Sequence, residues 1–99
     1  MSGYILSPLA AQDLDDIWEF IAHDNLDAAD RILEEIYEAL QHLVRMPLMG
    51  HVREDLADRS HRFWPVRAFL IVYHPDTTPL EIVRILRGSR DIPSLLRPE

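Results

Sequence analysis

The chain has 99 residues, a formal net charge of −7 and no cysteine, and all ten of its basic residues are arginine. That length makes one domain, able to bury roughly 60–65% of its unfolded surface. The missing cysteine excludes disulfides, zinc–thiolate sites and thiol nucleophiles, and the net acidity argues against loose nucleic-acid binding through bulk charge.

No apolar run reaches the roughly 18 residues that a membrane span needs. The N-terminus, Met1-Ser-Gly-Tyr-Ile-Leu6, lacks the basic region and long apolar core of a secretion signal. The expected location is therefore the cytoplasm, with no membrane partner. The charge is also unevenly spread. Residues 1–58 hold thirteen acids and three arginines, whereas residues 59–99 hold four acids and seven arginines. Such a separation predicts two faces with different partners. Arginine is a rigid planar fork for carboxylate or phosphate, although GC-rich codon usage would enrich it without any function.

Tyr4–Leu6 reads as a short strand. Ser7-Pro8 follows as a helix cap and a proline at the first helical position. Leu14, Ile17, Trp18 and Ile21 then recur at helical spacing. His23-Asp-Asn25 breaks that pattern, and a longer helix starts near Asp27. Its apolar stripe is Ala29, Ile32, Leu33, Ile36, Leu40, Leu43 and Val44, and it ends before Met46-Pro47 because proline disfavours helix in the residue before it. The short link predicts an antiparallel helical hairpin. Residues 46–62 form a long connection, of the kind that is functional, partly structured or mobile. Arg62–Val66 begins a sheet, with Pro65 marking an edge or a strand start. Phe69–Tyr73 is apolar enough for the middle of the sheet, His74–Pro79 is a turn, and Leu80–Arg87 is the returning strand. Ile92–Leu96 predicts a last helical turn interrupted by Pro93. The expected fold is α+β: a short N-terminal strand, then an antiparallel helical hairpin packed on one face of a small antiparallel β-sheet, all in a single domain over residues 1–99.

Four segments carry a family resemblance: Leu6-Ser-Pro-Leu-Ala-Ala-Gln-Asp-Leu-Asp-Asp-Ile17, Pro47-Leu-Met-Gly50, Phe69-Leu-Ile-Val-Tyr73 and Ile82-Val-Arg-Ile-Leu-Arg-Gly-Ser-Arg-Asp91. In order and spacing the chain resembles the RelE/ParE toxins of type II toxin–antitoxin systems, and the ParE branch more closely. The resemblance implies a toxin that poisons DNA gyrase by binding. It would be neutralised by a ParD-like antitoxin whose tail folds over it in a hetero-oligomer, with direct nucleic-acid binding confined to the gyrase or antitoxin complex. The alternatives are a RelE-like messenger-RNA nuclease acting on the ribosome and a non-toxic antitoxin-binding module. RelE-type nucleases carry an arginine where Leu70 stands and a tyrosine where this chain has Leu95-Leu96. ParE relatives mostly carry histidine where this chain has Arg87.

Residue by residue, these readings name Arg62, Trp64, Arg67, Arg87 and Arg90 as candidates for the target, since arginine recognises phosphate or carboxylate through paired hydrogen bonds. Trp18, Ile36, Leu40, Trp64, Phe69 and Tyr73 are candidates for the antitoxin, each weighed against a plain core role that the helical stripe favours for Trp18. Arg84 is expected to face the helices. The run Asp13-Leu-Asp-Asp16 reads as a solvated face. The five histidines lack metal-ligand spacing, and His61, beside Arg62, is the one considered for general-base work. No catalytic residue, metal or cofactor is expected.

Overall fold

A computed structural model describes residues 3–88 and 91–96. The elements are β1 (Tyr4–Leu6), α1 (Pro8–Ala22), α2 (Leu26–Arg45), β2 (Arg62–Val66), β3 (Phe69–His74), β4 (Leu80–Arg87) and α3 (Ile92–Leu96), with a 3-10 turn at Pro47–Met49. Each helix of the hairpin starts on a side-chain cap. Ser7 Oγ accepts from the Ala10 amide at 3.0 Å, and Asn25 Oδ1 accepts from the Ala28 amide at 3.0 Å. Pro8 follows Ser7 at the start of α1, where no backbone donor is lost. Pro93 is likewise the second residue of α3 and starts that turn rather than interrupting it.

The sheet order is β1-β4-β3-β2. Pairings β2–β3 and β3–β4 are antiparallel, as expected, but β1 runs parallel to β4, so the sheet is mixed. The reason is topological: β1 and β4 are far apart in sequence, with the helical hairpin and two further strands between them. No tight turn joins them, and a tight turn is what imposes antiparallel pairing. Pro65 lies on the edge strand β2, and the apolar β3 lies inside the sheet.

The helices cover one face of the sheet. There Leu14, Ile17, Ile36, Leu40 and Leu43 pack on Ile71, Tyr73, Ile82 and Ile85. The other face, which the sequence reading left uncovered, has a core of its own. Phe63, Val72, Leu86 and Ile92 are buried there, flanked by Leu56, Leu70, Val83, Leu95 and Leu96. A register shift resets the alternation of side chains along β4. Val72 pairs with Arg84 but Tyr73 pairs with Ile82, leaving Val83 as an extra residue. Such a bulge bends the strand and re-aims its side chains. Ile82 and Ile85 both reach the helices as a result, while Val83 and Leu86 pack on the opposite side.

The long connection is pinned to the sheet. The buried Tyr73 hydroxyl donates to Pro47 O at 2.7 Å and accepts from the Gly50 amide at 2.9 Å. Arg62 Nη1 donates to Gly50 O at 2.8 Å, and His51 exchanges backbone hydrogen bonds with Phe63. Burial pushes the Tyr73 hydroxyl above its ordinary pKa, while the Gly50 amide and Arg62 pull it back. A Cβ on residue 50 would overlap the Tyr73 hydroxyl, so the site needs glycine for close approach, not for an unusual φ. Further along, Asp58 accepts from Ser60 and His61, and these bonds bring its carboxyl down to about 2.

Three outcomes are expected. Tyr73→Phe orphans the Gly50 amide and should cost about 1–3 kcal/mol in urea unfolding. Gly50→Ala in that background should cost less than it does alone, because the clashing hydroxyl is already gone. The Asp58 contribution has the sign of a lowered pKa. It is complete above the ordinary value of 3.8 and is lost as pH falls through about 2. The Ser60 amide resonance should therefore titrate near pH 2, and Asp58→Ala should abolish that step.

Candidate functional site

Strand β1 ends at Leu6, so β4 has no strand partner on that side beyond Ile82. The first turns of α1 take its place. The Ser7 amide donates to Ile82 O at 3.0 Å, and Ser7 Oγ donates to Val83 O at 2.7 Å. Six residues later, Asp13 Oδ2 accepts from the Ile85 amide at 2.9 Å and from Arg84 Nε at 2.8 Å, while Oδ1 accepts from Arg84 Nη2 at 2.9 Å. Asp13 is thus the reverse of a solvated acid: it is 8% exposed and holds three hydrogen bonds. The expectation of a solvated face fails at this position because its partners lie 71 and 72 residues away. Arg84 does turn toward the helices, as expected. Hydrogen bonding to Asp13 pushes its already high pKa further up, against a smaller opposing effect of burial.

Beside this clamp, α1 and the far end of the sheet enclose a groove of about 430 Å³. Ile17, Phe69 and Ile85 form its apolar floor, Asp13 and Asp16 line one side, and Phe20 and Arg87 stand at the rim. Phe20 is 64% exposed, and the Arg87 guanidinium lies over its ring at 4.9 Å. That contact holds the cation by its face. Among the described residues Arg87 has no carboxylate partner, so its N–H donors remain open to a carboxylate or a phosphate.

The other target candidates are more committed. Arg67 sits at the tip of the β2–β3 hairpin with φ 54°, in the left-handed region that disfavours a side chain. Its Nε and Nη2 donate to both Glu35 oxygens at 2.7 and 2.8 Å, and these bonds lower the Glu35 pKa. Arg62 is spent on backbone carbonyls. Trp64 is half-buried at the sheet edge and stacks on His51, with centroids 6.0 Å apart. Arg90 lies outside the described residues. The gathered site is therefore Arg87 at the groove, with Arg67 held at the neighbouring hairpin tip, where Gly88 N bonds Ala68 O at 2.8 Å.

The antitoxin candidates divide by burial. Ile36, Leu40 and Tyr73 are fully buried, so they hold the fold and present no surface. Their helical and strand periodicity marks core, and it gave no separate sign of a partner. Phe69 is 7% exposed and shows only at the groove floor. Trp18 is half-buried, and its Nε1 donates to Asp30 Oδ1 at 2.9 Å. His61 is anchored to Asp58 and lies against His74, with ring centroids 4.4 Å apart. Sequence reasoning missed Phe20, which lies three residues after Ile17 on the flank of the buried stripe and so reaches the groove rim. An aromatic residue at the margin of that stripe was the available signal.

A family model for the ParE toxin of type II toxin–antitoxin system, parDE, matches residues 4–92. The chain belongs to the ParE toxin family. A solved structure of the chromosomal ParDE toxin–antitoxin system from P. aeruginosa shares the fold, with a TM-score of 0.70. The match covers 85% of this chain and 92% of that one at 21% identity. A search of curated protein sequences finds no significant match. The four segments quoted from the sequence now have physical roles in this ParE fold. The first caps α1 and supplies Asp13, the second binds Tyr73, and the third and fourth are β3 and β4 with their bulge.

The clamp yields a stability prediction. Asp13→Ala should cost about 3–5 kcal/mol by urea unfolding, since it leaves a buried guanidinium and the Ile85 amide without their acceptor. Asp16→Ala, on the same helix but exposed, should change stability by no more than about 0.5 kcal/mol.

Proposed function

We propose that this ParE-family chain poisons DNA gyrase in the cytoplasm by binding, and that a ParD-like antitoxin neutralises it in a hetero-oligomer. The observation that carries the reading is the family match across residues 4–92. The geometry favours contact over bond-making. Leu70, which stands where RelE-type nucleases carry arginine, packs against the second core. The Tyr73 hydroxyl is buried and engaged with Pro47 and Gly50. Arg87, by contrast, is exposed with open donors, and is suited to an anionic group on a macromolecular partner.

The antitoxin tail in this reading is disordered alone and folds on the toxin. Basic residues would meet the acidic hairpin and an acid would approach Arg87. Apolar anchors supply most of the affinity, while the charges set register and association rate.

The decisive measurement adds purified protein to gyrase, plasmid and ATP. Inhibited supercoiling or accumulated cleaved DNA is expected. Arg87→Ala should weaken that effect while shifting stability by no more than about 0.5 kcal/mol. Untouched gyrase, with messages cut on translating ribosomes, would replace this reading with the nuclease.

A further inference from the structure

On the sheet face away from the helical hairpin, a second open cavity of about 450 Å³ lies between the start of α1, the β4 bulge and α3. Its volume falls within the range of small-ligand sites, about 300–1,000 Å³. Leu9, Val83, Leu95 and Leu96 give it apolar walls, while Arg84 and His61 supply its charged and polar groups. Leu9 is 57% exposed, an apolar side chain left at a cavity mouth.

Arg84 has two edges. Nε and Nη2 are spent on Asp13. Nη1 makes no hydrogen bond among the described residues, although the side chain is only 13% exposed and lines this cavity. The guanidinium is thus rigidly held by one edge, with its other donors free beside apolar walls. His61 is oriented by the bond from its Nδ1 to Asp58, and its Nε2 is unbonded among the described residues. A fixed guanidinium in a weakly hydrated, apolar setting selects a carboxylate over a neutral group. It also costs less ordering on binding than a free surface arginine does.

We propose that this cavity binds an apolar carboxylate, the chemistry shared by a C-terminal leucine of a peptide and a medium-chain fatty acid. The carboxylate meets the open edge of Arg84, and the apolar body lies on Leu9, Val83, Leu95 and Leu96. The site lies on the opposite face of the sheet from the Arg87 groove, and it does not depend on what the toxin poisons.

The test is an amide chemical-shift titration of the full chain, isotopically labelled, with three probes: acetyl-Leu-Leu, its C-terminal amide, and octanoate. Acetyl-Leu-Leu should shift the Leu9, Val83 and Leu95 resonances. The amide should bind about tenfold more weakly, for want of a charge-assisted bond. Octanoate binding as tightly as the peptide acid supports a fatty-acid source, and a tighter peptide acid supports a chain terminus. Leu9→Glu adds an acid to the first turn of α1, where the helix dipole favours it, so the fold is kept while a like charge meets the ligand. This variant should weaken the acid probes several-fold more than the amide, which loses only the apolar contact with Leu9. Equal affinity for acid and amide would overturn the proposal, as would the absence of shifts at those three residues.

Discussion

The buried carboxylate of Asp13 joins the two halves of this molecule. A short N-terminal strand leaves most of β4 with an unpaired edge. Unpaired backbone donors inside a core are costly, and an open strand edge invites pairing with other chains. A helix in place of a longer β1 solves both problems. Ser7 closes the edge at Ile82 and Val83, and Asp13 closes it at Ile85. Arg84 neutralises the acid that does this. A buried pair of this kind adds little net stability against an apolar replacement, yet breaking one side of it is expensive. Its structural consequence is register: three bonds hold Asp13 of α1 against Arg84 and Ile85, beside the bulge.

That docking in turn creates the surfaces. With α1 fixed, Ile17 and Phe20 stand opposite the ends of β3 and β4, and the groove under Arg87 follows. The bulge brings Arg84 to the cavity on the other face. One ion pair therefore touches both cavities, Asp13 lining the first and Arg84 the second. The arginines of the basic half consequently do different work. Arg84 and Arg62 hold the fold, Arg67 is tied to Glu35, and Arg87 is left with open donors. Charge separation along the chain is real as composition, but much of it is used in joining the halves. Each of the pairs Asp13–Arg84 and Glu35–Arg67 takes its acid from the hairpin and its cation from the sheet.

Elements with local causes were legible in the sequence. Ser7-Pro8 and Asn25 start helices, Met46-Pro47 ends one, and the apolar β3 runs through the inside of the sheet, because caps, proline geometry and burial patterns act within a few residues. The order of elements and the resemblance carried by four segments named the family. Arg84 was expected to face the helices, and it reaches them through its bond to Asp13, although it pairs with Val72 on the other face of the sheet. The chain alone also marked Arg87 as a candidate, as an arginine at the end of a strand in the basic half.

Tertiary structure decided what depends on distant partners. Nothing near Asp13 distinguishes it from Asp15 or Asp16, and its burial comes from an amide and a guanidinium more than seventy residues away. The parallel pairing of β1 follows from a long excursion of the chain, which no local pattern encodes. Apolar periodicity could not separate partner-facing residues from core, so Ile36, Leu40 and Tyr73 prove to be interior while Phe20 is exposed. The second core under α3 gathers alternate residues of β2, β3 and β4 with Ile92, and the bulge at Val83 keeps both Ile82 and Ile85 on the helical face. A sequence records which residues are apolar or charged, but only the fold decides which of them meet.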